Sequence, residues 1–506
     1  MSQPAILALD QGTTGSTALV VAEDGRILGR SYSEFTQHYP RPGWVEHDAR
    51  EIWEVTARVA REAVQSSPEA RDARLEGVGI TNQRETLVVW DRDTLEPVHR
   101  AIVWQDRRTT PICRALKAAG HEDRVRDVTG LVLDPYFTGT KLTWLLREKP
   151  EIRRRAEAGE LAAGTVDSWL VARLTAGRSH LTDATNASRT LLYDIRKGTW
   201  SPELLGLLEV PAAVLPEVRA SSGDFGVASG AFLGRELPIL GVAGDQQAAL
   251  FGQGCWGPGL AKNTYGTGAF LLLHTGDQPV LSRAGLLTTV ACDARGAPAY
   301  ALEGAIFIAG AALQWLRDEL RILDSSSDSE ELARTLSGNE GVYFVPAFVG
   351  MGAPHWEPEA RGMLVGLTRG TGRAHLARAA LEAMAYQTAD VLEAMERDSG
   401  IELAELRVDG GAAANDWLMR FQAGLLGVPV RRPALVETTA FGAAGLAGLA
   451  AGIWPSAEAF LQARESPTVF GPEMSQGERE GLQAGWRRAV STALHWTRWE
   501  AGAPAG

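Results

Sequence analysis

The chain has 506 residues, 45% hydrophobic and 22% charged, which is enough apolar sequence for a large core and for two or more domains. A formal net charge of −12 opposes extended contact with nucleic acid, because such binding is driven by neutralising phosphates with Lys and Arg. The 55 Gly and 24 Pro are scattered, which excludes a collagen-like or low-complexity chain, and Cys113, Cys255 and Cys292 are too few and too widely spaced for a disulfide framework or a zinc ribbon.

The N-terminus, Met1-Ser2-Gln3-Pro4, enters a short apolar run with no basic region and no long hydrophobic segment, so no secretory signal is expected and the chain reads as cytoplasmic. Residues 5–9 and 17–22 are apolar and flank Asp10-Gln11-Gly12-Thr13-Thr14-Gly15-Ser16, the pattern of two strands joined by a tight polar turn. Strands are then expected at 75–81, 86–90 and 101–104, alternating with helices at 49–65 and 139–147, the mark of an α/β architecture. Arg153-Arg154-Arg155 lies among glutamates and reads as a solvated helix face. An apolar strand at 238–242 leads to Asp245. The Gly-rich stretch at 251–259 then breaks the chain, dividing it into lobes at 1–252 and 253–506 with a cleft between them.

The second half opens on a similar hairpin: residues 259–264, then Tyr265-Gly266-Thr267-Gly268, then 269–274, so the chain reads as internally duplicated. A strand at 406–408 turns through Asp409-Gly410-Gly411-Ala412-Ala413-Ala414-Asn415 into an amphipathic helix. The uncharged stretch at 438–457 is mostly Ala and Gly and contains Pro455, too weakly hydrophobic for a bilayer span. The segment from Ser456 onward is assigned to packing.

Turns of Gly and Thr have what a polyphosphate needs: exposed backbone N–H groups, hydroxyl donors and room for close approach. None of the five lysines follows a glycine, which excludes a P-loop, and Asp224-Phe225-Gly226 lacks the other kinase motifs that would give it meaning. One such turn is weak evidence, but two of them can grip one phosphate chain from both sides, and the glycine turn at 409–415 can pass beneath a flat adenine ring. Asp10, beside the first turn, would face a metal ion rather than phosphate oxygens, which repel a bare carboxylate.

This set resembles the duplicated actin-like, ribonuclease H-like ATPase lobes that flank a central cleft in actin and the sugar kinases. The segments His38 through His47, Asn82-Gln83-Arg84-Glu85-Thr86, Ala101 through Arg108, Gly244-Asp245-Gln246-Gln247, Lys262 through Gly268 and Phe307 through Leu316 are similar to those of the glycerol kinases in the FGGY family of carbohydrate kinases, and similar blocks continue to Leu449. The resemblance implies ATP-dependent phosphorylation of glycerol to sn-glycerol 3-phosphate, the first step of glycerol utilisation, with Mg2+ as cofactor and neither nucleic acid nor membrane as partner. A homo-oligomer, dimer or tetramer, is left open.

The same resemblance implies that Arg84, Glu85, Tyr136, Asp245 and Gln246 hold the polyol and that Trp104 and Phe270 face its C–H groups. Thr13, Thr14, Gly15 and Thr267 would contact the triphosphate, Gly310, Gln314, Gly411 and Asn415 would surround the nucleotide, and Asp10 would serve the metal through water. An alcohol becomes a competent nucleophile only when its proton has somewhere to go, and Asp245 is assigned as that base. Three aromatics favour a small substrate over erythritol or xylulose, and the Arg84–Glu85 pair weighs against a filament-forming or chaperone-like ATPase.

This chain departs from the family pattern at Thr17, where the first loop usually carries an arginine near the nucleotide phosphates. The Ser229 to Glu236 stretch is poor in glycine where fructose 1,6-bisphosphate control would need it. No histidine lies between His180 and His274 for control by phosphorylation.

Overall fold

The structure is a computed structural model that describes residues 2–434, 437–464 and 466–500, with side chains as far as residue 497. Two sheets organise it. In the six-stranded first sheet, Pro4–Gln11, Gly15–Ala22 and Ile27–Glu34 form an antiparallel meander, and Arg74–Asn82 and then Leu237–Gly244 add on the other side of Pro4–Gln11 in parallel. In the seven-stranded second sheet, Leu260–Tyr265, Ala269–Gly276 and Pro298–Ile306 form the meander, and Glu405–Gly410 and then Val430–Arg432 add in parallel. The shared strands therefore stand in the same order in both sheets: third, second, first, fourth, fifth. The chain is a duplicated α/β protein of two lobes.

Local chemistry accounts for these elements. Residues Ala5 to Leu9 are fully buried, a continuous apolar run suited to a strand covered on both faces. Helix Ala49–Gln65 starts where the Asp48 carboxylate accepts from Arg50 N at 2.9 Å, and it turns Ile52, Val55, Val59 and Ala63 inward. Each large side chain so buried stabilises the fold by roughly 1.5–3 kcal/mol.

Helix Thr438–Ala450 is apolar on every side, with Phe441, Ala444, Leu446 and Ala447 fully buried. Although it follows nearly all of the second sheet in the chain, it packs on Pro4–Gln11, Arg74–Asn82 and Leu237–Gly244 of the first sheet and on helix Asp245–Gly252. The approach is backbone to backbone. A Cβ on Gly442 would stand 1.9 Å from the Ala248 carbonyl oxygen, and one on Gly79 would stand 2.2 Å from that of Ala443. Among the described residues no helix is long and apolar enough to cross a membrane, and all three cysteines are free and buried.

Two expected strands are shorter than their sequence suggested, at Val88–Asp91 and Ala101–Ile102. The first is delayed because the chain turns at residues 83–86, where Glu85 has φ 60° and Thr86 N bonds Arg84 O at 2.7 Å. The second ends because Asp106 N turns back to Val103 O at 3.0 Å. The expected helix at 49–65 is observed with those bounds, and that at 139–147 extends to Thr138–Glu148. The arginine run at 153–155 is paired with Glu157, Glu151 and Glu160 on a solvated face.

Candidate active site

The first polar turn is closed by Gly12 N donating to Gly15 O at 2.9 Å, with Thr14 exposed at its tip. Side chains brace it from below. Gln37 Nε2 donates to Thr13 O at 3.0 Å, His47 Nε2 meets Gln37 Oε1 at 2.7 Å, and Gln83 Nε2 donates to Gly12 O at 3.2 Å and Gln11 Oε1 at 3.1 Å. Burial, with His38 adding repulsion, drives the His47 imidazole down to about 4, so it stays neutral in this amide network. The Trp104 indole N–H donates to Thr13 Oγ1 at 2.9 Å, and its ring meets Tyr136 edge-on at 5.5 Å.

Beside that aromatic wall lies a buried ion-pair network. Arg84 forks onto Glu303, with Nη1 to Oε2 at 2.6 Å and Nη2 to Oε1 at 3.0 Å, and its Nε lies 3.2 Å from Asp245 Oδ1. Arg189 donates to Glu85 Oε1 at 2.6 Å and to Glu303 Oε1 at 2.9 Å. Burial alone would raise Glu303, but the two guanidiniums of Arg189 and Arg84 overcome it and hold the carboxyl down at about 2. Burial raises Glu85 above the ordinary carboxylate range despite Arg189 and Arg84. Lys141 lies fully buried beneath, donating to Phe137 O at 3.2 Å and also to Tyr136 O at 2.5 Å; burial pulls its ammonium down to about 7.

Asp245 opens helix Asp245–Gly252 at the end of strand Leu237–Gly244, and its carboxylate accepts from Gln246 N at 2.7 Å. Its side chain is 31% exposed, against 1% for Glu85 and 3% for Glu303. Asp245 is thus the carboxylate of this group that opens to the cleft. Burial raises it above the usual carboxylate range, and Arg84 opposes the rise. From the second sheet Lys262 reaches Gln246 Oε1 and, at 2.9 Å, Thr264 Oγ1; burial brings it down to about 8. Phe270 is half-buried and stands in register with Thr264 and Ala305, on the sheet face from which Lys262 and Glu303 project toward the first lobe.

The second turn is held by backbone. Gly266 N donates to Gly268 O at 2.8 Å, Ala309 N and Ala311 N donate to Thr267 O at 2.9 and 3.1 Å, and Gly310 N donates to Gly266 O at 3.0 Å. Gly266, Thr267, Gln314 and Gly411 are exposed. Gly410 has φ 85°, and a Cβ there would stand 2.2 Å from Tyr265 O, so the glycine turn before helix Asp416–Leu426 requires this residue. Asn415 caps that helix through Leu418 N at 2.8 Å.

The structure thus gathers Arg84, Glu85, Trp104, Tyr136, Asp245 and Gln246 on the first-lobe side of the junction, with the turn at Thr13, Thr14 and Gly15 bonded to that side through Trp104 and Phe270 on the facing strand of the second sheet. Thr267 and Gly310 are joined in the second lobe, Gln314 follows Gly310 by one turn of helix Gly310–Asp318, and Gly411 follows Gly410, which stands in register with Tyr265. Asp10 is raised to about 7 by burial, with Asp245 and Glu437 adding repulsion. Among the described residues no three His, Cys, Asp or Glu side chains gather to hold a metal by themselves.

Sequence reading missed Glu303, Arg189, Lys262 and Lys141. Their common signal is a lone charge in an otherwise uncharged, buried run, as Glu303 is in Pro298–Ile306 and Lys262 in Leu260–Tyr265.

Residues 5–252 match the model of the N-terminal domain of the FGGY family of carbohydrate kinases, and residues 261–451 match that of its C-terminal domain. This chain belongs to the FGGY family of carbohydrate kinases. Within the family it is 57% identical over 491 residues to a glycerol kinase of Deinococcus radiodurans, covering 97% of this chain and 98% of the relative. It is 58% identical over 497 residues to one of Alkalilimnicola ehrlichii, covering 98% and 99%. The solved Plasmodium falciparum glycerol kinase with ADP superposes with a TM-score of 0.93 at 35% identity, covering 97% of this chain and 99% of that one. The FGGY fold explains why the two sheets repeat one strand order and why the site lies where they meet.

Proposed function

We propose that this FGGY kinase transfers the γ-phosphoryl group of ATP to glycerol, giving sn-glycerol 3-phosphate and ADP. The observation that carries the reading is the accessible Asp245 carboxylate, set at 3.2 Å from Arg84 beside the Trp104–Tyr136 wall and at the junction of two lobes that each carry a glycine turn. Identity of 57% and 58% to proteins named glycerol kinase supports the choice of acceptor.

A triol brings several hydroxyls, and each needs a partner when it leaves water. Arg84, Glu85, Tyr136 and Gln246 supply donors and acceptors, while Trp104 and Phe270 cover the carbon chain. Asp245 takes the proton of the attacking hydroxyl as that oxygen bonds to the γ-phosphorus and the bridging oxygen leaves with ADP. Its raised affinity for a proton suits this task, and Arg84 opposes the rise and aims the carboxylate.

Thr13, Thr14 and Gly15 hold the triphosphate from one side and Thr267 from the other, by N–H and hydroxyl donors aimed at developing charge. Gly310, Gln314, Gly411 and Asn415 surround the nucleoside. Asp10 is an oxygen donor crowded by Asp245 and Glu437, chemistry that fits Mg2+ held through water, with the phosphates supplying the remaining ligands. When bound, the ion neutralises phosphate charge.

The test is ADP release with MgATP across glycerol, dihydroxyacetone, erythritol, xylulose, ribulose and a blank. Selective stimulation by glycerol is expected. A larger sugar outrunning glycerol would overturn the acceptor, and no acceptor exceeding the blank would overturn the kinase reading itself.

A further inference from the structure

Helix Asp245–Gly252 begins at the junction of the lobes and ends, about 12 Å away at 1.5 Å per residue, against a cavity of mixed lining. The cavity has a volume of about 360 Å3 and is lined by Arg407, Arg431 and Arg464, by Gln253 at the helix C-terminus, and by Leu461 and Ser466. It takes no part in the chemistry above.

Among the described residues its charges do not balance. Among the described residues Glu405 is the one carboxylate that serves two of the arginines, meeting Arg407 Nε at 2.7 Å through one oxygen and Arg431 Nε through the other, while Arg407 Nη1 also donates to the Gln253 carbonyl oxygen. Among the described residues no carboxylate reaches Arg464, whose guanidinium lies over the Phe441 ring at 5.0 Å and whose Nη1 is buried without a hydrogen-bond partner. Burial and the neighbouring Arg407 pull Arg464 down to about 10, the direction expected of a cation facing another cation. Gln253 is 2% exposed, yet neither its Oε1 nor its Nε2 has a partner.

Buried cations and amides are retained when something pairs with them. Arginine forks match phosphate oxygens, the Gln253 amide N–H adds a donor, and Gln253 Oε1 asks for a hydroxyl or a protonated phosphate oxygen. The volume is that of a small-ligand site. We propose that this cavity binds a small phosphate-bearing anion, at a site separate from the one between the glycine turns.

The experiment is calorimetric titration of inorganic phosphate, pyrophosphate and glycerol 2-phosphate into the whole protein, its Arg464→Met variant and its Arg431→Gln variant. The difference between proteins is the readout, so that phosphate held by the glycine turns cancels whatever those turns do. Saturable binding of at least one probe is expected, at least tenfold weaker in Arg464→Met and weakened less in Arg431→Gln, with ADP release in the absence of probe unchanged within twofold. Preference for inorganic phosphate would identify the free ion as ligand, and preference for glycerol 2-phosphate would identify a phosphate ester. No saturable binding to the wild type, or variants binding as the wild type does, would overturn the proposal. Should Arg464→Met fail to fold, the more exposed Arg431→Gln decides it alone.

Discussion

The two sides of the cleft are built by different means. Around Arg84 and Asp245 the work is done by side chains, in an ion-pair network drawn from both lobes and closed to water except at Asp245. Around Gly266 to Gly268 it is done by main-chain N–H and C=O groups, with exposed residues at the tip. Side chains can discriminate one small acceptor from another, because each misplaced hydroxyl leaves a buried partner unmatched. Main-chain amides grip any phosphate and are indifferent to which side chains flank them.

If the comparison holds, substitutions on the acceptor side should have the larger effects. Asp245→Asn keeps the shape and removes the proton acceptor, so kcat should fall by about 100- to 10,000-fold with a modest change in glycerol affinity. Near-normal turnover would eliminate Asp245 as base. Arg84→Ala leaves Glu303 and Asp245 without their shared cation, and it should chiefly raise the KM for glycerol while lowering stability by about 3–5 kcal/mol, as for a broken buried ion pair. An effect confined to the ATP KM would place Arg84 on the wrong side.

A third test probes the braces under the first turn. His47 titrates at about 4 when folded against an ordinary 6.5, so the unfolded chain binds its proton first as the pH falls. Stability should therefore be complete above pH 6.5 and should decline through the window down to 4, by up to about 3 kcal/mol from this group. Melting temperatures of His47→Gln measured across that window should fall less steeply than those of the wild type. Equal slopes would assign the loss to other groups.

The smallest effect is expected away from the acceptor pocket, on the strand that leaves the first turn. Thr17 is neutral, and Arg30 on the neighbouring strand is already engaged by Glu437 at 2.9 Å. Thr17→Arg should lower the KM for ATP by about tenfold, near the lower end of what a charge-assisted hydrogen bond contributes. An unchanged or higher KM would mean that main-chain groups already suffice.

Legibility in the sequence divides along the same line. The glycine turns were readable because their chemistry is local: Asp10 through Ser16 and Tyr265 through Gly268 are contiguous, and the flanking apolar runs set the strands. Arg84, Glu85 and Asp245 were named through resemblance. The groups that hold them, Glu303 and Arg189, were not, because one stands on an antiparallel strand of the second sheet and the other in the turn after helix Ala184–Ala187, and no spacing along the chain encodes their meeting. Helix Thr438–Ala450 was passed over for a related reason. An Ala- and Gly-rich helix buried on all sides has no polar stripe to announce its period.

That helix also sets an order of events during synthesis. The first sheet leaves the ribosome early, but the helix that covers one of its faces emerges only after almost all of the second sheet has been made. Until then the apolar side of Pro4–Gln11, Arg74–Asn82 and Leu237–Gly244 is open to other nascent chains and to chaperones. A chain cut just before Thr438 would therefore lose the cover of its first sheet as well as the tail of its second lobe.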